Sequence, residues 1–454
     1  MKKIILFVFL LFVKSSLILG QVQVPDYPDD AYIAADFKLW ADGKEILVYD
    51  TPVAAMASFC LTDSVEIKIW SKVSFMQVDI RPKHLNIISK HEGNYLTFKI
   101  PKNIKISVEL DKRIYRPLLI FGQEPINEAE KKDADYFYDA GKIHKIGRVV
   151  LKSNQKVFIE AGAIVEGAFH FYETENVKII GHGIIDNRNL TRKTGTQGIK
   201  GVLSNNFEIK GIHIIGNPRW TSAYFACADF SIDDVRIIGW RPSDDGIDIV
   251  GSENSSIRNS FVRVKDDCIA VKAMGAGTYD LNEKDYSQTG CKNVKNLLVE
   301  NNVIWNADWG NAIEIGFETR AEFMEDMIFR NNDIIHVEAN GGVFTIHNGD
   351  RGMIRNILYE NIRIEDARGY LCHFQILNSH YSKDKKRGQG KNIKLKNITV
   401  SEGIPLNSII TGYDDEHIYD GVYFENLIIH GEKISSPIEA NVFSEYAKNI
   451  KFIE

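Results

Sequence analysis

The chain has 454 residues, 44% hydrophobic and 26% charged, which leaves room for one large domain or two ordinary ones and excludes a disordered or fibrous protein. A formal net charge of −6 speaks against a nucleic-acid partner, which calls for a basic face, and gives no special affinity for anionic polymers.

The chain opens with Lys2-Lys3, an apolar run from Ile4 to Val13, and small or polar residues at Ser15, Ser16 and Gly20. A basic start, a short apolar stretch and a small residue at the cut read as a secretory signal peptide over residues 1–20. That run is about half of the roughly twenty residues a bilayer-spanning helix needs. The expectation is a secreted or periplasmic product with no membrane insertion. No cysteine stands beside the cut to carry a lipid anchor. The five cysteines (Cys60, Cys227, Cys268, Cys291, Cys372) form no CxxC pair, so buried free thiols are expected and a zinc site is not.

Residues 21–125 read as a β-sandwich. Runs such as Val65-Glu66-Ile67-Lys68-Ile69-Trp70 and Ile104-Lys105-Ile106-Ser107-Val108-Glu109-Leu110 alternate apolar with polar, and turns such as Asp42-Gly43 and Glu92-Gly93-Asn94 separate them. Alternation over four to eight residues predicts half-buried antiparallel strands. A polar stretch from Glu128 to Asp135 sets the boundary near Phe121 to Glu130.

From residue 126 to 454 the pattern is a repeat. Units such as Asn176-Val177-Lys178-Ile179-Ile180-Gly181, Val294-Lys295-Asn296-Leu297-Leu298-Val299-Glu300-Asn301 and Val422-Tyr423-Phe424-Glu425-Asn426-Leu427 recur at roughly twenty to forty residues, the period of a solenoid or propeller. Each unit is a short β-branched strand ending at Asn or Gly, and helical periodicity is almost absent. These features select a right-handed parallel β-helix, in an all-β chain, over leucine-rich repeats or propeller blades.

Two successive coils carry acidic clusters: Ser243-Asp244-Asp245-Gly246-Ile247-Asp248-Ile249 and Val264-Lys265-Asp266-Asp267-Cys268-Ile269-Ala270-Val271-Lys272. Asp245 and Asp266 are separated by about one coil, and stacked parallel strands lie roughly 4.8 Å apart. Crowded carboxylates repel, so one is expected to hold a proton while its neighbours stay ionised. That division suits glycosidic cleavage by an acid and a base. Aspartates at bends also cap turns or bind calcium, and a single such pair would favour that plainer role.

The two segments resemble the signature of the β-helix glycoside hydrolases, family 28 (polygalacturonases and relatives) and family 49 (dextranases). Family 28 shows Asn-Thr-Asp-Gly-Ile-Asp and, about one coil on, Gly-Asp-Asp-Cys-Ile-Ala-Ile-Lys. Here Ser-Asp precedes Asp245 and Lys265 replaces the glycine. The preceding β-sandwich, with the segments Gly147 to Leu151 and Ala161 to Gly167, is similar to the family 49 layout. The resemblance implies a polysaccharide substrate, an α-linked bond cut with inversion, Asp266 as general acid, and Asp245 and Asp267 holding and deprotonating the water. No cofactor or metal is required. Inverting enzymes usually separate their carboxyls by about 6.5–9.5 Å, more than simple stacking of coils supplies.

Polygalacturonases continue with Gly-His-Gly and Arg-Ile-Lys segments. This chain has Asp308-Trp309-Gly310-Asn311-Ala312-Ile313-Glu314-Ile315-Gly316-Phe317-Glu318 and then Val343-Phe344-Thr345-Ile346-His347-Asn348. Thr345 and His347 stand where the resemblance implies cations for a uronate carboxylate, and Thr cannot imitate an arginine fork. A neutral, dextranase-like sugar is therefore expected at the central subsite, unless Lys272, Arg320 or Arg351 supplies charge from elsewhere; the alternative is a polygalacturonase-type pectin hydrolase. Lys272, Trp309, Asn311, Glu314, Glu318 and His347 are the expected substrate-binding residues. Each has a plainer role open to it: Lys272 as a partner for a carboxylate, the glutamates as strand ends, His347 as a structural histidine. Trp220, Trp240 and Trp305 could stack on sugar or pack in the core, and His182 reads as a bend residue. A calcium-dependent lyase and a non-catalytic glycan-binding solenoid are the competing functions.

Overall fold

The protein is described by a computed structural model covering residues 22–193, 196–276, 286, 289–338, 340–404 and 406–453. The expected signal peptide lies outside these residues. No helix among the described residues is long and apolar enough to cross a membrane.

Two sheets form the N-terminal layers. One has five antiparallel strands, with Phe37–Ala41, Val65–Ser71 and Tyr95–Ile100 at its centre. Val65–Ser71 alternates buried and exposed side chains as its sequence alternates. The six-stranded partner departs from the antiparallel expectation, because Leu118–Gln123 runs parallel to Ala55–Leu61. Both strands are buried along their whole length. Ala55, Ala57, Phe59 and Ile120 face the sandwich core, while Met56, Leu119 and Phe121 face the second domain. A sheet covered on both faces reads as continuous apolar runs rather than alternation.

Asn127 then caps a short helix, Glu128–Lys131, its side chain accepting from the Ala129 amide at 3.0 Å. From Tyr136–Tyr138 to Ala447–Ile453 the chain winds into a right-handed parallel β-helix with 30 strands in one continuous sheet. In-register stacking explains its β-branched strands. Ile209, Ile232, Ile257, Val299, Phe329, Tyr359, Leu395, Phe424 and Phe452 form one inward column across successive coils. Asparagines stacked along the coils adopt the left-handed region, which Asn tolerates better than most residues. Asn331, Asn361, Asn397 and Asn426 all have φ between 53° and 57°. Their amides pass hydrogen bonds from coil to coil at 3.2, 2.8 and 2.9 Å.

Polar side chains lock the sandwich onto the solenoid. Buried Arg81 bonds to Glu365 at 2.7 Å, Glu402 at 2.9 Å and Glu109 at 3.3 Å. The Tyr49 hydroxyl donates to Asp186 at 2.7 Å. His182 touches Cys60 at this junction, Nδ1 to Sγ 3.3 Å. Trp305 is fully buried there beside Phe261 and Ile335, so the sugar-stacking role open to it in sequence is ruled out. Trp240 also packs against this cluster. All five cysteines are free thiols, four buried and Cys291 partly exposed.

Candidate active site

Short strands of successive coils form the floor of the cleft, and the bends before them carry the acids. Asp245 precedes Ile247–Val250, and Asp266 and Asp267 precede Ile269–Ala273; Ile247 pairs directly with Ile269. Two glycines bring these bends together. A Cβ on Gly246 would lie 2.4 Å from the Cys268 carbonyl oxygen, and one on Gly310, at φ +62°, would lie 2.5 Å from the Asp267 nitrogen. Asp244, part of the first acidic cluster but given no role of its own from sequence, fixes the second bend from within: buried, it accepts from the amides of Arg241, Lys265 and Asp266 at 2.8, 3.0 and 3.2 Å.

Asp245, Asp266 and Asp267 all line one cavity of about 1020 Å³. Lys272 Nζ, also at the cavity wall, pairs with Asp245 at 2.6 Å and with Asp248 beneath it at 3.1 Å. Its ammonium is thus a partner for carboxylates, and it lies 4.1 Å from the Trp220 ring. Asp266 accepts from the Ser243 amide at 3.1 Å. Burial first, and then repulsion from Asp245, lifts its pKa to about 6. Asp267 accepts from Asn311 Nδ2 at 2.9 Å. Burial, followed by the charges of Glu314 and Asp245, pushes its pKa well above the ordinary range.

The expected binding residues separate into two layers. Trp309, 54% exposed, lines the cleft with Asn311, Glu318 and His347. Glu314 does not line it, which corrects its expected contact with substrate. It is fully buried because Asn311, Thr345 and His347 cover it. Its carboxylate accepts from Asn311 at 3.1 Å, from the Thr345 hydroxyl, and from His347 Nδ1 at 3.0 Å. His347 Nε2 in turn lies 3.3 Å from His373 Nδ1, and the Phe317 ring stacks on His347 at 4.3 Å. Burial, then the neighbouring His347, lowers the His373 pKa to about 4.

Arg320 and Arg351 lie in a separate depression with Lys292 and Lys386, so neither side chain lines the cleft, although Arg320 acts on Glu318 through space. Among the described residues, the cations that line the cleft besides Lys272 are Arg192, Arg219 and Lys383, joined by Gln197 and Tyr381. No sequence motif marks them, because they come from outside the two acidic segments; Arg219 stands before the strand that pairs with Ile247–Val250. Among the described residues, no group of three or more His, Cys, Asp or Glu side chains has a geometry that could hold a metal ion.

The chain is similar to known proteins in sequence and in fold. An exopolygalacturonase of Zea mays is 27% identical over 214 residues, 44% of this chain and 46% of its own length. The chain spans about half the length of the curated relatives it matches, between 35% and 54%. The solved structure of Dex49A from Penicillium minioluteum superposes with a TM-score of 0.66 at 15% identity, covering 94% of this chain and 96% of that one. The family 28 exopolygalacturonase of Yersinia enterocolitica gives a TM-score of 0.54 at 13% identity, covering 95% and 98%. These two likenesses establish a shared fold. The model of the glycosyl hydrolases family 28 matches residues 169–439, which include every acidic residue of the cleft, and the chain belongs to that family.

Proposed function

We propose that this protein is a glycoside hydrolase that cuts an α-linked polysaccharide with inversion, and that the sugar beside Asn311 and His347 is neutral. One observation carries the proposal: three carboxylates from adjacent coils line one open cleft, and two of them, Asp266 and Asp267, hold their protons more tightly than ordinary carboxyls. Asp266 gives its proton to the glycosidic oxygen as the bond to the anomeric carbon breaks. A water held by Asp245 and Asp267 attacks that carbon from the opposite face and loses one proton to Asp245. Lys272 balances the charge of Asp245 at 2.6 Å.

The neutral sugar is supported by what surrounds the C-terminal side of the cleft. Thr345 is buried and spends its hydroxyl on Glu314, and His347 does the same with Nδ1. Glu318 lines the cleft, and its carboxylate would repel a uronate whenever it is ionised. A pectin hydrolase of polygalacturonase type is the second reading, favoured by the names of the curated relatives. We also propose that residues 1–20 direct export, which N-terminal sequencing of the mature protein checks.

A panel of neutral and acidic polysaccharides, assayed for new reducing ends, tests the activity. Proton NMR on the best substrate is expected to show the inverted anomer first, and D266N to abolish turnover. Products with 4,5-unsaturation would make the protein a lyase, and a retained anomer would remove the proposed roles.

A further inference from the structure

The sandwich turns one sheet to the solenoid and the other to solvent. Met56, Leu119 and Phe121 of the six-stranded sheet pack against the second domain. In the five-stranded sheet, Leu39, Ile67, Ile69, Leu96 and Phe98 point into the sandwich core. Successive side chains of a strand point to opposite faces, so their neighbours in sequence face outward, and Trp40, Trp70 and Tyr95 are among them. Tyr95 is 41% exposed and both tryptophans are partly exposed. Trp70 stands opposite Tyr95 on one neighbouring strand and opposite Lys38 on the other, while Trp40 stands opposite Lys68 in the adjacent row. Three neighbouring strands, roughly 4.8 Å apart, thus present three large rings on one surface.

Among the described residues none of the three touches another aromatic ring, and neither indole N–H has a partner in the chain. What lies over the rings is lysine: Lys38 Nζ is 6.0 Å from the Trp70 ring and Lys68 Nζ 4.5 Å from that of Tyr95. An ammonium over an exposed ring is weakly held, and its flexible stem leaves the ring face open when it swings back to water. Glutamates interleave with these lysines. Glu45 stands opposite Trp40, Glu92 opposite Tyr95, and Glu66 opposite Lys99. The surface therefore offers hydrogen-bonding groups of both signs without a field that would select an anion. A protein partner calls for apolar side chains between the rings, and Lys38 and Lys68 hold those places. Flat apolar faces bordered by polar groups match a pyranose, whose C–H face is apolar and whose edge carries hydroxyls.

We propose that the outer sheet of the sandwich is a second, non-catalytic binding surface for a neutral polysaccharide, with Trp40, Trp70 and Tyr95 stacking on its sugar rings. Among the described residues that line the cleft none comes from the sandwich, so this surface holds the polymer without taking part in its cleavage. That the polymer held is also the polymer cut rests on the hydrolase reading; the surface itself is testable without turnover.

The test runs full-length D266N in native gels containing dextran, amylose, a neutral galactan or, as the charged control, polygalacturonate. At least one neutral polymer is expected to retard the protein more than polygalacturonate does. Adding W40A, W70A and Y95A should weaken that binding about tenfold, while W40F, W70F and Y95F keep most of it; melting curves of both sets check that the sandwich remains folded. Retardation by none of the polymers, strongest retardation by polygalacturonate, equal retardation of D266N and its alanine set, or an equal loss in the phenylalanine set overturns the surface. Wild-type turnover is scored separately. A neutral polymer held through the three rings but never cut would overturn the hydrolase and leave the surface standing; a polymer that is cut, with retardation indifferent to the rings, would do the reverse.

Discussion

Lys272 Nζ lies 2.6 Å from Asp245 Oδ2, and the same ammonium touches buried Asp248 at 3.1 Å. One cation therefore serves a carboxylate in the cleft and another below it. Burial pushes the Asp248 pKa far above the carboxylate range, against the pull of Lys272. A protonated Asp248 leaves the charge of the ammonium to Asp245. Replacing Lys272 by Met strands Asp245 without its counter-ion. Turnover should fall about 10²–10⁴-fold, and stability by about 3–5 kcal/mol, the usual cost of breaking a buried pair from one side. D248N keeps the shape and the neutral state, so its kcat should stay within a few-fold of wild type. A K272M protein with near-normal kcat, or a D248N protein as inactive as K272M, contradicts this division of charge.

The pH dependence follows from Asp266. Its folded pKa of about 6, against an ordinary 3.8, means that a proton needed for catalysis leaves as pH rises through about 6, so kcat/KM should decline there. The stability linkage has the same sign. The folded carboxyl binds its proton more tightly than the unfolded one, so its contribution is complete below about pH 4 and is lost as pH climbs to about 6. An amide cannot ionise. D266N should therefore be inactive yet more stable than wild type at pH 8 by about 1–3 kcal/mol, with the gap closing at pH 4. Denaturant melts at the two pH values decide it, and a D266N protein less stable at pH 8 refutes it.

Glu314 acts on Asp267 through space and through Asn311, whose amide lies 2.9 Å from one carboxylate and 3.1 Å from the other. Its charge is the largest influence after burial in lifting the Asp267 proton affinity. If Asp267 helps to deprotonate water, it must be ionised, and its pKa sets the acid limb of the pH–rate profile. E314Q removes the repelling charge and should move that limb to lower pH, with KM changed less than the profile. An unmoved limb accompanied by a uniform drop in kcat would reduce Glu314 to a packing residue.

The solenoid was legible because its physics is local. Successive coils repeat the demand for apolar residues facing inward and often for an asparagine in the left-handed region, as at Asn361 and Asn397. The acids were legible for the same reason: Asp245, Asp266 and Asp267 lie in two short segments that one coil of winding brings together. Residues whose placement depends on distant contacts were not legible. Arg192 reaches the cleft only because Arg188 and Arg241 fix its loop across the domain junction. Glu314 and Glu318 share a strand, Ile313–Thr319, and differ only in what the next coil lays over them: His347 and Thr345 seal Glu314, while Glu318 stays at the cavity wall. The parallel pairing of Leu118–Gln123 was hidden because burial on both faces erases the alternation that would have reported it.

Trp305 and Trp309 are four residues apart and opposite in environment, which allows packing and binding to be separated in one experiment. The Trp305 ring is fully buried at the domain junction, its Nε1 donating to Glu338 at 2.5 Å and its ring 4.4 Å from that of His336. Replacing it with Ala deletes a large core side chain, at a cost of about 3–5 kcal/mol, and strands the Glu338 oxygen. Trp309 stands 54% exposed at the cleft with Lys265 Nζ 4.7 Å from its ring. Its removal uncovers no cavity in the core, so W309A should melt within about 0.5 kcal/mol of wild type. If it stacks on a sugar ring, W309A should raise KM for oligosaccharides about tenfold while kcat changes little, the mark of lost uniform binding. W305A should do the reverse, losing stability while the fraction that remains folded keeps its KM. A W309A protein with unchanged KM would show that this exposed ring serves something other than the substrate.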